Sequence, residues 1–131
     1  MKVFIYSLII FALVIVGCSR SDAINRLIPF VAIMSNLSKY DGSMVHVITY
    51  ATLKFEGQAA YIVAMDAESL IFSNGLWLDV PGELIDDLSN HGHVGVYEIW
   101  GRIDVSKHGH FELWPGTIQF SNITEYLLIE N

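Results

Sequence analysis

Four of the chain's five histidines come as two tight pairs, His91-Gly-His93 and His108-Gly-His110. Imidazole is a good ligand for zinc and copper, and four of them would fill a tetrahedral site. The spacing argues against one shared centre. Val94 to Val105 between the pairs reads as a strand, which at ~3.3 Å per residue holds its ends roughly 30 Å or more apart if straight. Separate two-histidine surface sites remain open, beside a plain reading in which these are turn residues and His110 anchors the last hairpin. Glu56 at a strand end suits either a catalytic carboxylate or an acceptor for backbone N–H groups of its own turn. No second acid is fixed near it by spacing, so a paired-carboxylate hydrolase is not supported. The chain has no nucleophile elbow, phosphate loop or metalloprotease helix. Tyr50, Trp77, Trp100 and Trp114 are the large aromatics on predicted strands, where each serves either the core or the stacking of a sugar ring or peptide. Trp100 is the leading candidate, because Glu98, Arg102 and Asp104 share its face.

The single cysteine, Cys18, excludes an intramolecular disulfide. It closes an apolar run, Val3 to Val16, that follows the positive charge of Lys2. This is the order of a signal peptide, and the run is too short to span a bilayer, which takes roughly 20 apolar residues. Ile15-Val-Gly-Cys18 resembles the lipobox of bacterial lipoproteins. The resemblance implies that residues 1–17 are removed, that the thiol of Cys18 is acylated and is therefore no nucleophile, and that residues 18–26 tether residues 27–131. Ser19, where aspartate would direct retention in the inner membrane, implies the outer membrane facing the periplasm.

Without residues 1–17 the chain keeps six Lys/Arg against fourteen Asp/Glu, a net charge of 6 − 14 = −8 with histidines neutral. Such a domain repels nucleic-acid backbones. The stretch Ala59 to Val80 has no Lys or Arg at all, so a nucleic-acid-binding reading lacks its basic stripe. The remaining 114 residues make one domain with a core of its own.

The elements that must position these residues follow from alternation and punctuation. Pro29 interrupts an apolar stretch, predicting a short strand near Phe30–Ala32 and a helical turn over Ile33–Ser38. Tyr40-Asp-Gly42 is a turn. Ser43 to Glu56 is a long strand with Val45, Val47 and Thr49 on one face and His46, Ile48 and Tyr50 on the other. Ala59 to Met65 is its return partner. Asp66 to Gly75 reads as a loop with a helical turn, although Asn74-Gly75 is also a hairpin signal. Leu76 to Val80 is the third strand. Pro81 to Gly92 is a helix with proline at its start and glycine at its stop, carrying Leu84, Ile85 and Leu88 on one face. Val94 to Val105 is the fourth strand, with Tyr97, Ile99 and Ile103 facing the core. His110 to about Leu128 is the fifth, with a bulge or corner at Pro115-Gly116.

Three strands, a short helix and two further strands make a mainly β fold, a five-stranded OB-like Greek-key barrel with its helix between strands three and four. Tyr40-Asp-Gly42, Val45-x-Val47, Tyr50, Phe55-Glu-Gly57, Ala60-Tyr61, Leu76-Trp-Leu78, Gly109-His110, Leu113 and Gly116-Thr-Ile118 also resemble a family of uncharacterised small bacterial proteins with OB-like barrels. The resemblance runs from about Leu27 to Ile123. The chain departs from that pattern at Thr49, where glycine is usual, and at Pro115, where a small polar residue is usual. The family implies a fold and no settled activity. The expectation is a lipid-anchored envelope module, without cofactor or catalysis, that binds an envelope protein, peptide or glycan. The alternatives are a small enzyme or metal-handling protein using the histidine pairs, and a nucleic-acid-binding OB domain.

Overall fold

The computed structural model describes residues 26–88 and 94–126; the leader, Cys18, His91 and His93 lie outside them. Five strands, β1 (Met44–Thr52), β2 (Ala59–Tyr61), β3 (Gly75–Asp79), β4 (Gly95–Asp104) and β5 (Thr117–Glu125), close into a barrel in the order β1-β2-β3-β5-β4. Every neighbouring pair is antiparallel except β3 and β5, which run parallel with Leu78 beside Ile118. The helix following β3 spans Gly82–Leu88, and Leu84 and Ile85 pack against the core. This is the expected OB-like barrel.

The alternation read from the sequence holds on the two long strands. Val45, Val47, Thr49 and Ala51 on β1 and Tyr97, Ile99 and Ile103 on β4 are buried, while His46, Ile48, Glu98, Trp100 and Arg102 lie on the outside. Leu76, Leu78 and Ile118 complete the barrel interior. A second, smaller cluster sits outside the barrel wall: Ala59, Tyr61, Ala67 and Trp114, with Phe72 and Trp77 against them.

Several boundaries differ from expectation, each for a local reason. The strand predicted near Phe30–Ala32 is instead a helix, α1 (Phe30–Ser35). Pro29 sits at its N-cap with φ −59°, where a missing N–H costs nothing, so the proline starts a helix there rather than barring one. Ahead of it, Leu27 forms an isolated parallel bridge to His46. A one-turn α2 (Leu37–Tyr40) follows. β2 stops at Tyr61 rather than running to Met65, because Ala64–Ser69 forms a third helix, α3; the helix after β3 is therefore α4. Asp66 lies in the first turn of α3, whose N-cap is Val63, and accepts a hydrogen bond from Asn74 Nδ2 (3.1 Å). Asn74-Gly75 makes no hairpin: Asn74 ends a 3-10 turn and Gly75 opens β3. A Cβ at Gly75 would stand 2.7 Å from the Ala60 carbonyl oxygen and from the Tyr61 ring, so only glycine lets the strands meet there.

β5 begins at Thr117, not His110. His110–Glu112 is a 3-10 turn, and Pro115-Gly116 precedes the strand. The ladder's irregularity falls between Trp100 and Gly101, opposite Asn122 and Phe120. Thr49, the departure from glycine, donates its hydroxyl to the Tyr61 carbonyl (2.5 Å) where β2 leaves β1.

Ile99 is fully buried between β1 and β5. Ile99→Ala is expected to destabilise the barrel by about 2–5 kcal/mol, as deletions of this size in closed cores do. Urea unfolding checks this; a loss under ~1 kcal/mol would mean that the barrel interior collapses around the deletion.

Candidate functional site

Ala59, Tyr61 and Trp77 project from the outer face of β2 and β3. In OB-folds the strand-two and strand-three face, with its flanking loops, is where ligands lie. Here the protein's own β4–β5 connection covers it. Trp114 from that connection is 3 % exposed, sits 4.9 Å from Trp77 and 4.8 Å from Phe72 between ring centroids, and donates its indole N–H to the Tyr61 hydroxyl (3.3 Å). Gly109 lies directly on the Trp77 ring, where a Cβ would be 2.5 Å from the indole, and its φ of +70° is one glycine adopts freely. Thus Trp77 and Trp114, both candidates for ligand stacking, pack against one another with their planes tilted by 57°.

Three polar contacts pin the strap. Thr117 Oγ1 donates to the Lys107 carbonyl (2.8 Å), Trp114 N–H donates to the His108 carbonyl (3.1 Å), and His108 Nδ1 meets the Trp114 carbonyl at 2.8 Å. A carbonyl can only accept, so His108 carries its proton on Nδ1. His110 instead reaches Glu56, with Nε2 3.6 Å from Oε2, which ties the β4–β5 loop to the β1–β2 loop. That distance is longer than a hydrogen bond. His108 and His110 therefore point to different partners, and among the described residues no three His, Cys, Asp or Glu side chains gather to hold a metal ion.

The tied loops form a rim that sequence reading missed. Phe55 is 81 % exposed and Phe111 is 80 % exposed, and the Phe111 ring lies 4.0 Å from that of His110. Glu56, Phe111 and Glu112 all have φ between 55° and 58°. Left-handed backbone at non-glycine residues costs on the order of 1–3 kcal/mol each, and such strain concentrates at ligand clamps and switch regions. Between strap and barrel lies a cleft of about 400 Å³ whose walls include Trp77, Asp79, Lys107, His108 and Glu112.

The β1–β4 flank holds the other two aromatic candidates. Trp100 stacks flat on His46 (centroids 4.5 Å, planes 8° apart), and His46 Nε2 lies 2.7 Å from Glu98 Oε1. His46 was not singled out from the sequence. The pairing depends on the β1–β4 register, which sets His46 opposite Trp100 and Ile48 opposite Glu98. Tyr50 is half-exposed and lines a separate apolar groove of about 350 Å³.

No protein-family model, curated protein or solved structure matches this chain. The geometry alone therefore defines the class: a closed OB-like barrel whose usual ligand face is self-covered.

Trp114→Ala removes the plug of the outer cluster and is expected to cost about 3–5 kcal/mol, with loss of near-ultraviolet dichroism from the Trp77–Trp114 pair. A dichroism spectrum unchanged by this variant would contradict the packing. A second expectation concerns pH. Burial raises the Tyr61 phenol above its usual 10.0, with the Trp114 hydrogen bond opposing and the Asp66 charge adding; burial, then the Glu125 charge, raises Tyr97 likewise. The folded state thus holds protons that the unfolded chain releases. Stability is unaffected by these groups below pH about 10 and falls as pH rises through their folded-state values. Tyr61→Phe should flatten that alkaline fall in denaturation curves measured across the range.

Proposed function

We propose that this protein is a lipid-anchored, extracytoplasmic binding module, held by an acylated Cys18 at the outer membrane facing the periplasm, that recognises an envelope protein or peptide and performs no reaction on it. The observation that carries the recognition reading is the rim: two loops tied through His110 and Glu56 present Phe55 and Phe111 to solvent at 81 % and 80 % exposure. Large aromatics left this exposed on strained, mutually braced loops have the character of interface anchors. With the β2–β3 face covered by the strap, recognition moves to the loop tips, and the acids Glu56 and Glu112 beside the phenylalanines favour a partner that presents basic groups around an apolar pocket. The lipobox resemblance of Ile15-Val-Gly-Cys18 supports the anchor. No helix among the described residues is long and apolar enough to cross a membrane.

Metabolic labelling with radioactive palmitate tests the anchor: the full chain should incorporate label and Cys18→Ser should not. A Cys18→Ser protein that stays labelled and membrane-bound refutes it. A photo-crosslinking residue at position 55 or 111 of the full chain, in intact cells, tests recognition. Both positions should yield the same discrete adduct, and position 68 on α3 should not. An absent adduct, or an identical one from position 68, counts against the rim.

A further inference from the structure

We propose that the apolar groove on the β1–β4 flank is the surface this protein lays against a lipid bilayer, an inference that rests on the Cys18 anchor proposed above. The groove encloses about 350 Å³, and its walls include Pro29, Val31, Ile48, Tyr50, Ile62 and Tyr126. Of its walls Val31 is 51 % exposed and Tyr126 39 %, and close along the chain to wall residues stand Leu27, 48 % exposed, and Val63, 46 %. Chain connectivity says which partner covers them. Leu27 follows Cys18 by nine residues, so it lies at most about 30 Å from the acylated thiol even if the connection is fully extended. From Leu27 the chain passes straight into Pro29 and Val31 at the groove wall. Of the exposed apolar surfaces, this one is closest along the chain to the point of attachment.

Its chemistry fits a headgroup boundary. Branched aliphatic side chains are flanked by two tyrosines, Tyr50 and Tyr126, whose rings are apolar and whose hydroxyls stay wet, the combination enriched where membrane meets water. In sequence Arg26 directly precedes Leu27 and Glu125 directly precedes Tyr126. The loop rim differs: Phe55 and Phe111 stand next to Glu56 and Glu112, which an anionic leaflet repels. With the groove down, attachment through a short tether becomes attachment through two contacts. The second fixes the orientation of the barrel.

Depth-dependent quenching on the full, lipidated chain in nanodiscs of zwitterionic phosphatidylcholine decides the matter. An environment-sensitive fluorophore is placed singly through Val31→Cys, Tyr126→Cys, Phe55→Cys or Phe111→Cys, with lipid-borne nitroxide as quencher and mass spectrometry reporting the acyl group on Cys18. All four positions are exposed, and circular dichroism confirms the barrel in each. Quenching several-fold stronger at positions 31 and 126 than at 55 and 111 is expected. Equal quenching at all four, or stronger quenching at 55 and 111, on a chain that does carry lipid overturns the groove as the membrane face and leaves the anchor standing. A chain without lipid on Cys18 overturns both.

Discussion

Five strands in a ring cannot alternate direction all the way round, so a closed five-stranded barrel must contain a parallel neighbour. Here it is β3 and β5, matched over Trp77, Leu78 and Asp79 against Thr117, Ile118 and Gln119. Much else follows from that seam. It brings the start of β5 beside the middle of β3, where the Trp77 N–H donates to the Gly116 carbonyl (3.0 Å). The chain arriving from β4 must reach this point with twelve residues between the two strands, far more than a tight turn needs. The surplus folds back over the outside of β2 and β3. There Trp114 finds the apolar surface of Ala59, Tyr61 and Trp77.

On the binding reading proposed above, the covered face moves recognition to another place. A face that an open OB barrel offers to a ligand is spent here on an internal aromatic contact, with Trp114 buried in it and Trp77 left partly exposed at the wall of the cleft. The strap then supplies Phe111, and its contact with Glu56 braces Phe55 across from it. Electrostatics plays a modest part in this bracing, since the Glu56–His110 pair is partly exposed and surface pairs contribute little. Packing of Gly109 on the Trp77 indole holds the strap more firmly than charge does.

The barrel was legible in the sequence because its two long strands alternate cleanly and its helix is punctuated at both ends. The same signals failed where a short segment's conformation is set from outside. Ala64–Ser69 has strand-like residues before it and nothing local to stop them, yet it turns helical once the chain leaves β1 beyond Tyr61. Pro29 looks in sequence like a break in an apolar stretch, whereas its position makes it the beginning of a helix. The site divides in the same way. Composition marked Tyr50 and the three tryptophans, and face alternation marked Trp100 as outward. Neither reveals that the strap buries Trp114 against Ala59 and Tyr61, that His46 lies flat on Trp100, or that Glu56 and His110 meet from loops 54 positions apart. Those facts depend on register and closure, which no window of neighbouring residues encodes. Phe55 and Phe111 gave no periodic signal because they stand on turns.

The tilted indole pair has an optical corollary. Trp77 and Trp114 approach within 4.9 Å at 57° to each other, while Trp100 lies on another flank beside His46. Two chromophores that close and that oblique exchange excitation, so their transition dipoles couple and give a signed exciton doublet that a lone indole does not. The molecule thus carries its own unlabelled gauge of whether the loop is seated, separate from the emission of its third tryptophan.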